Sequence, residues 1–303
     1  MHIGVFAPFV VGYVDPPFTL QAARAAEDFG FHSIWVPEHV LLFDEYHSRY
    51  PYASDGRLRV GDEAGILGPL PFLAYLAAGT SRIRLGTGIL LVPQRNPVYT
   101  AKDTATVDWL SGGRLDIGVG IGWLAEEFAA LGVPWKQRAQ RTRSYIQVMK
   151  ALWAQPVSSY EDKLYSLPPS RQFPKPVQKP HPPIHFGGES DAALERTAAL
   201  GQGWFGYDLT PEKAAERVQT LTRVLQANGR RREDVIVSIA PNARLVNAAM
   251  VEQYAAAGVD QIILAPRGRD PNDYLERLAQ MAKDVVEPAA LLTSVRAAAA
   301  ERS

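Results

Sequence analysis

The chain has 303 residues, and its 32 Lys and Arg against 32 Asp and Glu leave a formal net charge of zero at pH 7. A zero balance argues against a protein built to coat nucleic acid, which carries a basic excess, although it leaves room for a local basic pocket. Cysteine is absent, which removes disulfides, cysteine-ligated zinc, iron–sulfur clusters and thiol nucleophiles and fits a cytoplasmic protein. The opening run MHIGVFAPFVVGY lacks a basic stretch and contains Pro8 and Gly12, so it reads as a first strand over 2–7 and a loop, not as a signal peptide. A helix is predicted over 18–29 and stops at Gly30; a buried strand follows at 33–36. Glu38 and His39 stand at the end of that strand. They could exchange a proton or hydrogen-bond a bound ring, or merely cap the loop. A long connection, 40–68, carries Tyr46, His47, Tyr50 and Tyr52.

After a helix at 69–79 comes a strand at 83–91 with Gly86 and Gly88 inside it. Glycine there implies a bulge, a barrel corner or the close approach of a ligand, and Gly88-Ile89 is the centre of that irregularity. Asn96 and Pro97 open a helix over 97–110 as N-cap and first residue. The strand at 115–120 leads into Gly118, Gly120 and Gly122 in alternation. That alternation leaves one face bare enough for a flat ligand, yet it fails the G-x-G-x-x-G spacing of a dinucleotide site. A helix at 137–153 precedes a proline-rich connection, 154–182. In the next strand, 183–187, the run Gly187, Gly188, Glu189, Ser190 opens a helix over 190–200. Exposed amides and the Ser190 hydroxyl can hold a phosphate there, although Ser190 is equally an ordinary N-cap. Strands at 203–206, 235–240 and 261–265 alternate with helices at 211–228, 248–257 and 271–284. Gly30, Gly201 and Gly258 each end a helix and are read as left-handed caps.

Strand and helix alternating along one chain imply parallel βα units. About eight such units favour a closed α/β (β/α)8 TIM barrel over an open doubly wound sheet. The barrel is expected to span 1–288 as one domain, with 289–303 as a C-terminal tail. No stretch reaches the roughly 18 apolar residues of a membrane span. No H-x-H pair, G-x-S-x-G elbow or P-loop occurs. His181 and His185 are read as structural, and no metal is expected.

The stretches GFHSIWVPEH, RIRLGTGILLVPQRNPVYTAKDTATVDWLSGGRLDIGVGIGW and FPKPVQKPHPPIHFGGES together resemble the luciferase-like monooxygenase superfamily. The resemblance covers residues 1 to about 285 and is closest to the branch that uses the deazaflavin coenzyme F420. It implies a bacterial luciferase-like barrel with insertions, a deazaflavin in its mouth, and the cofactor phosphate near the fifth strand. Gly88-Ile89 aligns with a non-prolyl cis peptide that backs the ring. Glu38-His39 aligns with an Asp-His pair whose His is catalytic, the acid here being one methylene longer. Gly120, Ile121, Gly122 and Trp123 align with cofactor contacts; Glu189 and Ser190, beside the amides of Gly187 and Gly188, align with phosphate contacts. One sugar-phosphate-oxidising branch has a catalytic Glu where this chain has Trp123, which speaks against that substrate.

The resemblance therefore implies an F420-dependent oxidoreductase acting by hydride transfer on a small-molecule substrate, cytoplasmic and homodimeric. An FMN-dependent two-component flavin monooxygenase, served by a separate reductase, is the alternative. A non-catalytic flavin-binding protein on the same barrel is the third reading. Trp123 and the tyrosines of 46–52 either wall an apolar substrate pocket or are buried packing. The substrate pocket is assigned to the connections 40–68 and 154–182, with no nucleic acid or membrane partner.

Overall fold

A computed structural model describes residues 1–7, 14–58, 66–242 and 244–292. In chain order its elements are β1 (His2–Phe6), α1 (Pro16–Asp28), β2 (Ser33–Val36), α2 (Pro69–Gly79), β3 (Arg84–Leu91), α3 (Pro97–Leu110) and β4 (Leu115–Gly120). There follow α4 (Ala125–Ala130), α5 (Arg138–Ala154), β5 (Ser158–Glu161), β6 (Ser166–Ser170), β7 (Ile184–Gly187), α6 (Asp191–Leu200) and β8 (Gly203–Tyr207). The chain continues with α7 (Pro211–Ala227), β9 (Ile236–Ala240), α8 (Ala248–Ala256), β10 (Gln261–Leu264) and α9 (Pro271–Met281).

Eight strands close into a parallel barrel in the order β1-β10-β9-β8-β7-β4-β3-β2. Its register follows from strand patterning. In β2, β4 and β10 every residue is buried, as strands covered on both faces require. Successive side chains then go to opposite faces. Ile34 and Val36 join the layer between strands and helices, while Trp35 between them points inward. Ile262 and Leu264 pack outward in the same way, and Ile263 inward. The inner cluster is Phe6, Trp35, Phe205, Ala240 and Ile263, with Ile89, Tyr207 and Ala265 against it. Each such apolar side chain taken out of water stabilises the fold by roughly 2 kcal/mol.

The helices begin where capping chemistry dictates. Asp15, Asn96, Ser190, Thr210, Asn247 and Asp270 each accept a backbone N–H of the first turn with their side chains. Gly30 and Gly258 have φ of 82° and 83° and are the left-handed caps expected. Gly201 corrects that reading: its φ is −94°. It is small for a different reason, since a Cβ there would lie 2.9 Å from Phe186 and 3.1 Å from the Thr197 carbonyl. Beyond α9, helical backbone continues through residue 292 with Ala289 buried; residues 293–303 of the expected tail lie outside the described residues. Among the described residues no helix is long and apolar enough to cross a membrane.

The proline-rich connection forms an antiparallel β5–β6 hairpin that runs along the outside of the barrel. Tyr165 packs edge-on against Tyr145 of α5 at 5.6 Å, and Gln172 donates to the Val98 carbonyl at the start of α3. The segment then descends to the lower end, where the Gln178 amide donates to Asp108 and to the Leu115 carbonyl, both at 2.7 Å. Its contacts are with the outer helices and the strand N-termini. Among the described residues, 40–58 lies on the mouth, while 154–182 runs from the start of α3, where Gln172 and Phe173 meet Val98 and Lys102, down to the strand N-termini.

At that lower end Arg84 holds Asp116 through two hydrogen bonds of 2.6 and 2.9 Å, with His185 Nε2 at 3.3 Å. Burial opposes ionisation of Asp116, but His185 and Arg84 outweigh it and hold the carboxyl at about 2. At Glu27 burial likewise opposes ionisation, and the N–H groups of Ile83, Arg82 and Ser81 with the Ser81 hydroxyl together outweigh it and hold the carboxyl at about 2. Both values lie below the unfolded range, so the stabilisation is complete above that range and is lost as pH falls from about 4 towards about 2. Urea midpoints measured across that window should fall. Asp116→Asn should lower stability by about 3 kcal/mol at neutral pH. Glu27→Gln, whose carboxylate is largely screened by solvent, should lower it by about 1 kcal/mol.

Candidate functional site

The C-terminal ends of β2, β3, β4 and β7, four neighbours in the barrel, bring the sequence-predicted residues together on one face. The ends of barrel strands are where loops can carry chemistry on a rigid frame. Here β2 delivers Glu38 and His39, and β3 delivers the Gly88-Ile89 step. The turn after β4 delivers Gly120 to Trp123, and β7 delivers Gly187 to Ser190.

The Gly88-Ile89 peptide bond is cis. The β3–β4 pairing shifts register between Thr87 and Leu90, so the sequence-predicted irregularity falls where expected. Gly88 and Ile89 are half-exposed between buried neighbours. The Ile89 side chain lies across β4 and β7: a Cβ on Gly120 would fall 2.2 Å from Ile89 Cδ1, and one on Gly187 2.7 Å. A Cβ on Gly118 would meet the Thr87 carbonyl at 2.0 Å. These glycines make room for the β3 bulge, which corrects the reading of an open face for a flat ligand. Gly122 does not share their face. It has φ of 78°, and a Cβ there would fall 2.7 Å from Phe128.

Glu38 is buried, and both carboxylate oxygens are engaged within the chain. Oε2 accepts from Leu91 N–H at 2.5 Å, and Oε1 accepts from Arg95 Nε at 2.9 Å and from Arg95 Nη2. The acid thus ties the end of β2 to the turn after β3. It does not present its charge to the mouth. His39 keeps 12% of its side-chain exposure, and its Nδ1 faces Glu127 Oε2 at 3.5 Å. Its ring packs edge-on against Trp123 at 5.7 Å.

Glu127, on α4, is a candidate site residue that the sequence reading did not single out. It is fully buried and accepts from Val40 N–H at 2.6 Å, Leu41 N–H at 3.2 Å and the Gln94 amide at 3.0 Å. Burial would raise its proton affinity, but His39, Gln94 and the Leu41 N–H together hold it below the ordinary value. Its neighbour Glu126 accepts from His47 and Ser48 N–H. Two consecutive carboxylates thus pin both ends of the segment 40–48. In the sequence, an acidic pair opening a helix reads simply as favourable to the helix dipole.

Aromatic rings continue the wall from His39. Trp123 meets Tyr46 at 5.8 Å and Tyr50 at 5.1 Å. Tyr50 meets Tyr52 at 5.5 Å, and Tyr52 meets Tyr207 at 4.7 Å. Tyr52 also donates to Glu189 at 3.0 Å, and the Tyr207 N–H donates to the same carboxylate at 2.7 Å. Burial pushes Glu189 upward despite these bonds. Gly188 adopts φ of 106°, and Ser190 caps α6, accepting from Ala193 N–H at 3.3 Å. This corner offers backbone amides and a hydroxyl, with the Glu189 carboxylate turned into the protein.

A direct check of the seat is available. Gly120→Ala should destabilise the protein by roughly 1–3 kcal/mol through overpacking. Combining it with Ile89→Ala should recover a large part of that loss, because the clash is with the Ile89 side chain. Thermal unfolding of both single variants and the double variant measures the coupling.

Comparison with known proteins follows this geometry. The profile of luciferase-like monooxygenases matches residues 1–300. An uncharacterized protein of Mycobacterium tuberculosis is 34% identical over 264 residues, 85% of this chain and 91% of its own. The F420-dependent glucose-6-phosphate dehydrogenase of Microbacterium testaceum is 30% identical, over 73% of this chain and 62% of its own. The FMNH2-dependent dimethylsulfone monooxygenase of Pseudomonas putida is 32% identical, over 62% of this chain and 51% of its own. Among solved structures, a monooxygenase from Streptomyces bottropensis superposes with a TM-score of 0.75 at 20% identity, over 95% of this chain and 99% of its own. The F420-dependent tetrahydromethanopterin reductase of Methanopyrus kandleri superposes at 0.73 and 17% identity, over 94% and 98%.

Proposed function

The chain belongs to the luciferase-like monooxygenase family, and from that premise we propose that it is an oxidoreductase using coenzyme F420. It would exchange a hydride between the coenzyme and a small organic substrate, with His39 handling the accompanying proton. The observation that carries this reading is His39 itself: a largely buried imidazole at the end of a barrel strand, with 12% of its side chain exposed and one nitrogen backed by a buried carboxylate at 3.5 Å. General acid–base work needs a group placed in that way.

The residues present fit the coenzyme. The half-exposed Gly88-Ile89 step would back its ring. The amides at the start of α6 and the Ser190 hydroxyl would hold a phosphate, in the field of the helix N-terminus. When bound, the coenzyme supplies the hydride chemistry. The chain's own work is to seat the ring on the bulge, to exclude water with Trp123 and the tyrosines, and to hold a proton at His39. The relative that uses FMNH2 favours a second reading, in which a separate reductase supplies reduced FMN to the same mouth. A non-catalytic flavin-binding role is the third.

Fluorescence titration with F420 beside FMN separates the first two: tighter binding of F420 is expected, and binding of FMN alone with oxygen uptake overturns the proposal. His39→Ala should lower turnover by roughly 10²- to 10⁴-fold while coenzyme binding stays within a few fold; unchanged turnover removes His39 from the chemistry. Coenzyme binding without turnover on any substrate would support the binding-protein reading. We also propose a homodimer, for which the exposed Tyr99, Trp109 and Leu110 of α3 offer an apolar face. Sedimentation at micromolar concentration is expected to give twice the chain mass.

A further inference from the structure

We infer that Glu127 is a positioning residue that fixes which nitrogen of His39 exchanges the proton: its carboxylate keeps Nδ1 protonated, so that Nε2 alone serves the mouth. The kinetic part of this inference rests on the proposed role of His39, whereas its structural part stands on the free protein.

Of the two ring nitrogens, Nδ1 is the buried one, and among the described residues no group other than Glu127 lies within reach of it. A buried ring nitrogen facing a carboxylate is stabilised as N–H. The tautomer of a histidine is set by the partner of its far nitrogen. The other charged groups around His39 are already engaged. Glu38 is taken by Leu91 N–H and Arg95. Glu126 is taken by the N–H groups of His47 and Ser48. From the aromatic side His39 meets Trp123, which in turn meets Tyr46 and Tyr50. Among the described residues, Glu127 is the charged group that faces the imidazole within 4 Å.

Its remaining bonds keep it still. Val40 and Leu41 N–H hold Oε1, and Gln94 holds Oε2, so the oxygen facing Nδ1 cannot swing away without breaking them. At 3.5 Å the His39 contact is electrostatic rather than a full hydrogen bond. Such contacts in ligand-free sites tighten when substrate arrives.

In the oxidising direction the substrate O–H bond would break as an Nε2–H bond forms on His39, and the substrate C–H bond would break with its electron pair going to the coenzyme, which supplies the hydride acceptor when bound. The resulting imidazolium is balanced by Glu127. In the reducing direction the Nε2–H bond breaks and the product O–H forms. A purely structural Glu127 would anchor Val40 and Leu41 and nothing more.

The deciding measurement is nitrogen-15 NMR of the imidazoles in the free protein, with His39 assigned by His39→Gln. Wild type should show His39 as the Nδ1–H tautomer. Glu127→Gln, which keeps an oxygen for the Val40 and Leu41 amides but loses the charge, should mix the tautomers. In the coenzyme-loaded enzyme the same variant should lose roughly 10- to 100-fold in kcat with KM little changed. Glu127→Asp should restore part of the loss.

An Nε2–H tautomer in wild type, or an unchanged tautomer in Glu127→Gln, overturns the inference. Should Glu127→Gln fail to fold, the wild-type tautomer decides alone. The expected tautomer in a protein that never turns over with F420 would sink the coenzyme reading and leave the assignment of Glu127 standing.

Discussion

A carboxylate removed from water must find enough donors to stay ionised, and it loses several kcal/mol if any partner is taken away. Glu127 meets that requirement with groups from two other parts of the chain: the segment after β2, through Val40 and Leu41, and the turn after β3, through Gln94. Those parts lie 87 and 33 residues away in sequence. The position of His39, the path of the segment 40–48 and the seating of α4 under the mouth are therefore one solution to one electrostatic demand. Glu38 repeats the device one strand along, joining the end of β2 to Leu91 and Arg95.

A second constraint is steric and sets the shape of the mouth. The bulge in β3 turns Ile89 across the barrel, and only glycine at Gly120 and Gly187 leaves it room. What looks in the sequence like bare strand surface is the space of a neighbouring side chain. The half-exposed step that results is an apolar platform at the centre of the face. In the barrel order His39, after β2, stands to one side of it, and Trp123, after β4, and the start of α6, after β7, stand to the other. A flat cofactor with a phosphate at one end matches that arrangement, and the family contains users of both F420 and FMNH2.

Much of this was legible before any coordinates. Closely alternating apolar runs and capped, proline-led helices specify parallel βα units, and the eight strands of the barrel fall where the apolar runs fall. Asn96, Ser190 and the glycine ends Gly30 and Gly258 are local devices, decided by a few neighbouring residues. His39 and Gly88-Ile89 were visible because they break local rules: a charged pair after an apolar strand, and a glycine where a β-branched residue belongs.

The amino-acid order alone therefore determined the barrel and the strand ends that face the site, because periodicity and capping are short-range. It did not determine what each irregular residue is for. Gly201 ends its helix without a left-handed turn because Phe186, on a neighbouring strand, fills the space. The proline-rich segment runs down the outer wall because Asp108 and Leu115 capture Gln178. Glu127 turns inward while Glu126 stays at the surface because only the folded chain sets Gln94 and two free amides on one side of α4. Contacts between residues far apart in sequence made each of those choices, and only closing the barrel brings such residues together.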